Sequence, residues 1–134
     1  MNIKYHNGYK YQLEEDYSFQ TNITGNSGGN GFVHIEHDGL LEVYAGYAWD
    51  GASGPTFDTN NSMRPSLIHD AFYQLMRRKI IPQLYRKRVD DILYEELKKN
   101  GMCWIRAKLW YNAVRKLAAP FADPAHAKLL IEAP

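Results

Sequence analysis

Apolar and polar positions first alternate along this chain, then change period. Lys10 and Gln12 separate Tyr9, Tyr11 and Leu13, and Ser18 separates Tyr17 from Phe19. A period of two marks a strand with one face on a core. Residues 24–31, TGNSGGNG, are too rich in glycine for regular structure and read as a mobile loop. The run FVHIEHDGLLEVYAGYAW follows, with two β-prone stretches joined by Asp38-Gly39. Asp-Gly supplies the positive φ angles of a tight turn, so 32–37 should pair antiparallel with 40–49. Residues 50–65 are a long loop of turn formers, and such loops inside compact domains often carry function.

From there the apolar period lengthens. Pro65-Ser66 should open a helix that runs to about Arg78, since proline is favoured in a first helical turn. Pro82 breaks the chain before a second helix, 84–99, which Asn100-Gly101 ends. A third runs from Met102 to Ala118 and stops before Pro120; the tail, 119–134, holds a short apolar run that can dock on the core. These elements predict a single α+β domain over 1–134: an N-terminal antiparallel β-sheet with a hairpin at 32–49, then a C-terminal three-helix bundle.

Helix periodicity decides which side chains can act together. On the first helix Leu67, Ile68, Ala71, Phe72 and Leu75 share one face, while His69, Asp70, Tyr73 and Arg77 gather on the other. That gathered set is either a site or a solvated face. On the second helix Val89, Ile92, Leu93 and Leu97 are apolar together. Asp90 sits at the margin of that face and looks inward, whereas Asp91 looks to solvent. An inward carboxylate needs a partner, because burying it unpaired is costly; Arg86 and His69 are the two candidates.

Composition narrows the class. A hydrophobic share of 45% supports a core, and 16 Lys+Arg against 15 Asp+Glu argue against a nonspecific nucleic-acid binder. The single cysteine, Cys103, excludes an intramolecular disulfide and a cysteine zinc cluster. The N-terminus does not read as a signal peptide, and no stretch has the length of a membrane span. The expectation is a soluble protein made in the cytoplasm.

Three separated motifs carry a resemblance. D-G-A-S-G-P (50–55), H-D-A-F-Y (69–73) and R-K-R-V-D (86–90) resemble, in order and spacing, a family of small phage and prophage proteins known as domain of unknown function 1353. Asp50, Ser53, Pro55, His69, Asp70, Tyr73, Arg86 and Asp90 fit its pattern, while Val89 stands where the family has a small residue. The resemblance covers roughly residues 32–117. It implies a phage or prophage protein but supplies no activity; the expectation is a virion or assembly component that binds other phage proteins or itself, with Ser53 and Arg86 as candidate binding residues. The H-D-x-x-Y helix followed by an Asp is also similar, locally, to the active-site helix pair of phospholipase A2. That likeness implies His69 as general base, Asp90 as the carboxylate that orients it, and Tyr73 as a supporting hydrogen bond. It implies Asp70, with Asp50, as ligands of calcium, and a phospholipid as substrate. DGASGP, in the loop position, is not the Gly-x-Gly arrangement of those enzymes.

Plainer readings stand beside these. His69, Asp70 and Asp90 can simply tie helices to a loop. Asp50 and Ser53 can be loop caps. His34 and His37 fall on opposite faces of a strand and make a poor metal pair. Trp104, Trp110, Tyr111 and Val114 read as core or as an assembly contact. An accessible His69 beside converging oxygens favours the hydrolase; a His69 sealed with both nitrogens bonded to protein favours the structural tie.

Overall fold

The computed structural model describes residue 3, residues 5–6, residues 11–49 and residues 59–124. Among the described residues seven short strands precede the helices: β1 (Tyr5–His6), β2 (Tyr11–Leu13), β3 (Tyr17–Gln20), β4 (Gly28–Gly29), β5 (Val33–Ile35), β6 (Leu40–Val43) and β7 (Ala48–Trp49). They form two antiparallel sheets, ordered β1-β2-β7 and β3-β6-β5-β4. The alternation is the expected one: Val33, Ile35, Leu41 and Val43 are buried, with His34 and Glu42 on the opposite face.

The hairpin turns at Gly39, whose φ is +91° and whose absent Cβ would lie 2.4 Å from the Thr21 carbonyl oxygen. Only glycine satisfies both conditions. The hairpin is shorter than the expected 32–49. Its second arm ends at Val43, and after a turn Ala48–Trp49 crosses to pair with β2 in the other sheet. The glycine-rich segment is also not simply a loop. Gly28 and Gly29 pair with Ile35 and His34 as an edge strand. A Cβ on Gly29 would lie 2.1 Å from the Val33 carbonyl oxygen, so glycine is what permits this close backbone approach.

The helices are α1 (Met63–Arg77), α2 (Arg86–Lys99), α3 (Trp104–Leu117) and the short α4 (Ala119–Ala122), with a 3₁₀ turn at Gln83–Tyr85. α1 begins two residues before the expected Pro65, which lies in its first turn. It ends in a left-handed cap: Lys79 has φ +63°, and the Ile80 N–H donates to the Leu75 carbonyl. α2 ends at Asn100-Gly101 as expected, with Gly101 at φ +95° and the Met102 N–H donating to the Leu97 carbonyl. α4 is the start of the tail, and Ala122 is fully buried.

α1 is the central helix. Leu67, Ile68, Ala71, Phe72 and Leu75 pack in the core as their spacing predicts, in one cluster with residues of both sheets and of α2 and α3. The Trp49 indole N–H donates to the Ser66 hydroxyl at 3.0 Å and joins β7 to α1. A second polar tie joins β3 to the helices. Arg64 donates to the Tyr17 hydroxyl (2.9 Å), to Glu96 (2.7 Å) and to Asn100 (2.8 Å). Among the described residues no helix is long and apolar enough to cross a membrane.

Candidate active site: a buried carboxylate between three helices

The polar side of α1 is not a solvated face. His69 and Tyr73 are both buried, because α2 lies over them and brings Asp90 with it. His69 Nε2 is 2.7 Å from Asp90 Oδ1, and the Tyr73 hydroxyl donates to the same oxygen at 2.6 Å. The four-residue step from His69 to Tyr73 stacks the two rings on one helix face, with centroids 4.2 Å apart. Both can therefore reach a single carboxylate oxygen. The expected inward orientation of Asp90 holds: it is fully buried, while Asp91 pairs with exposed Lys87.

The other Asp90 oxygen has a partner that sequence reasoning missed. Arg115, on α3, donates to Oδ2 at 2.8 Å. Arg86, the expected intrahelical partner, goes elsewhere. Its Nε donates to the Tyr73 hydroxyl (3.1 Å), and its Nη2 donates to the Val114 and Arg115 carbonyls (2.9 Å each). Those carbonyls belong to the last turn of α3, where a cation is favoured by the helix dipole. Arg86 thus fixes α3, and α3 delivers Arg115. The sequence signal was present but weak: Arg115 directly follows Val114, a core residue, on a helix with no acidic side chain.

Asp70 lies at the open side of the cluster. Its carboxylate is 35% exposed, and its Oδ1 is 3.8 Å from His69 Nδ1, too far for a direct hydrogen bond. The ring keeps 7% exposure. His69 is therefore largely sealed: Nε2 is anchored on Asp90, and the Nδ1 edge faces a second carboxylate at the rim. Asp50 and Ser53, expected to join the site from the preceding loop, lie outside the described residues, as does Pro55.

The electrostatics follow from this packing. Burial works against a charged His69, but the neighbouring Asp70 carboxylate, together with the hydrogen-bonded Asp90, outweighs it, and its pKa is raised. Burial works against a charged Asp90 as well. There the donors His69, Tyr73 and Arg115 prevail and hold its pKa below the usual carboxylate range. Tyr73 is pushed far up by burial and by Asp90, so its hydroxyl keeps its proton and remains a donor.

As a calcium site the described residues fit in part. Asp70 is a hard oxygen donor at the rim, of the kind calcium takes, and the rest of a six- to eight-oxygen shell would have to come from elsewhere. Among the described residues one other cluster has the composition of a metal site. His34, Glu36 and Glu42 share the outer sheet face, with ligand atoms within 4.8 Å of one another. His34 and His37 do not act together: His34 pairs with Glu36 at 3.3 Å, and His37 contacts Ser27 at 3.1 Å.

The four residues expected to form one stripe on α3 divide. Trp110 and Val114 are buried, Tyr111 is half-buried and Trp104 is 64% exposed. The chain matches no protein-family model, no curated protein and no solved structure.

Proposed function

We propose that the protein is a metal-assisted ester hydrolase in which His69 is the general base. One observation carries this reading: a buried carboxylate, Asp90, holds His69 by Nε2 at 2.7 Å while the opposite nitrogen points to the half-exposed Asp70. An orienting carboxylate of this kind fixes the tautomer. Nε2–H donates to Asp90, and the lone pair of Nδ1 is left to accept a proton. A water held against Nδ1 would lose a proton to His69 as its oxygen attacks the ester carbonyl carbon. The imidazolium then returns the proton to the departing alkoxide oxygen, giving a carboxylic acid and an alcohol. Tyr73 and Arg115 hold Asp90 in place and touch no substrate. Asp70, with Asp50 from the loop, would hold calcium, whose chemistry there is to polarise the ester carbonyl. A phospholipid is the substrate that the likeness to phospholipase A2 implies.

The test is hydrolysis of a short-chain ester followed with and without calcium, alongside the melting temperature. The expected result is calcium-dependent hydrolysis that disappears in His69→Ala, together with a rise in melting temperature on adding calcium. If calcium moves neither quantity and His69→Ala changes no rate, the reading is wrong.

A second reading has its own support. We infer that the chain also works by binding other proteins, as a virion or assembly component of a phage would. Ile105, Leu109 and Leu117 on α3 are each more than half exposed, and Phe121 on α4 nearly so. Apolar side chains gathered in this way mark interaction surfaces.

A further inference from the structure

The exposed apolar residues of α3 and α4 are not scattered. Ile105, Leu109 and Leu117 follow one another along α3 at multiples of four residues, with half-buried Ala113 between the last two, and exposed Phe121 lies just beyond on α4. On a helix that interval makes a ridge, and ridges of this kind pack into the grooves of a crossing helix. Ala107, Trp110 and Val114 fix the inner side of α3 in the core, so the ridge is presented outward. Its middle member, Ala113, is small and lets another backbone come close. Beside it runs a parallel row, Trp104, Lys108, Asn112 and Lys116, all exposed.

The charge on α3 itself has one sign. Residues 102–122 include Arg106, Lys108, Arg115 and Lys116 and no Asp or Glu. A second copy of the same face would bring lysines against lysines. A flat lipid surface also fits poorly. Each step of four residues turns the ridge by about 40° around the axis, so the apolar row slants. Viewed down the axis, Lys116 falls between Ile105 and Leu109, in the middle of the arc that a membrane would cover.

We propose that this ridge docks an amphipathic helix of another protein, one whose apolar groove receives Ile105, Leu109 and Leu117 and whose flanking carboxylates meet Lys108 and Lys116. The proposal rests on the second reading above, that the chain binds other proteins. Both ends of the ridge are held firm. Arg106 donates to the Thr59 hydroxyl at 2.8 Å. At the other end Arg77 donates to the Phe121 carbonyl at 2.6 Å, and Gln83 donates to the Ala122 carbonyl. A surface already rigid loses less entropy on binding.

The experiment uses the full chain and two synthetic helical peptides. They share one leucine stripe and differ in whether Glu or Lys flanks it. Titration is followed by peptide anisotropy and by the emission of Trp104, since Trp49 and Trp110 are buried. The Glu-flanked peptide should bind at least tenfold more tightly, and 0.5 M salt should weaken it. Leu109→Asp should lose tenfold or more with an unchanged melting temperature. Lys108→Glu with Lys116→Glu should reverse the preference. Equal binding of both peptides, still lost in Leu109→Asp, would overturn the acidic partner and leave the protein-binding reading standing. Indifference of both peptides to Leu109→Asp would overturn both. Anionic phosphatidylglycerol vesicles binding more strongly than the Glu-flanked peptide, or self-association that Leu109→Asp abolishes, would replace the partner helix by a membrane or a second copy.

Discussion

Asp90→Asn removes one negative charge and almost no volume from the centre of the helical half. In the native protein the two Asp90 oxygens accept from three donors, two on Oδ1 and one on Oδ2. Asparagine offers one oxygen and one NH₂ group. With the oxygen toward His69 and Tyr73, the NH₂ opposes the Arg115 guanidinium, donor against donor. With the amide turned over, Arg115 is satisfied, but His69 and Tyr73 face a donor. Removing one partner of a buried ion pair costs about 3–5 kcal/mol. Arg115 is 32% exposed and regains some water, which places the cost near the lower bound. Against a total stability of about 5–15 kcal/mol, a loss of about 3 is severe. It corresponds to a fall in melting temperature of roughly 10 °C for a chain of this size. The control is the neighbouring carboxylate. Asp91 pairs with the exposed Lys87, and such pairs contribute about 0–1 kcal/mol. Urea unfolding at neutral pH, followed by circular dichroism, should therefore separate the two variants by 2 kcal/mol or more. Equal midpoints for Asp90→Asn and Asp91→Asn would refute the claim that Asp90 carries the helix junction.

Stability and hydrolysis should respond to pH with opposite signs. Because the folded state raises the pKa of His69, its contribution to stability is full below about pH 6.5 and is lost as pH rises through the folded value. General-base activity needs the neutral ring and should rise over that same range; parallel changes in the two would count against the assignment. Asp90 works on the acid side: its contribution is full above about pH 3.9 and fades as pH falls through its lowered folded pKa, which acid titration of the fold will show. Gly29→Ala should destabilise by several kcal/mol, seen as loss of hydrogen-exchange protection in β4 and β5, because the new methyl meets the Val33 carbonyl oxygen. Lys79→Gly should raise the free energy of unfolding by about 0.5–1 kcal/mol, read from urea titration, since it relieves a left-handed residue at φ +63°.

The sequence alone determined the α+β class, the order of strands before helices, and where the chain turns. Asp38-Gly39, Pro82 and Asn100-Gly101 act locally, through φ angles and missing N–H groups, so their effect can be read without the fold. Periodicity likewise put Asp90 inward and Asp91 outward. What the tertiary structure decided was every relation between elements. An edge strand at Gly28–Gly29 becomes visible only once β5 lies against it, because its glycines matter through a neighbour's carbonyl oxygen. The hairpin stops at Val43 because β2 competes for Trp49. His69 and Tyr73 are polar by type and were placed on a polar face; they are buried because α2 covers them and supplies a carboxylate. Arg86 was the cation one helical turn before Asp90, yet Arg115, twenty-five residues away, holds it. A helical period shows which way a side chain faces on its own helix. The partner it meets depends on how the helices cross, and that is fixed by packing across the whole core.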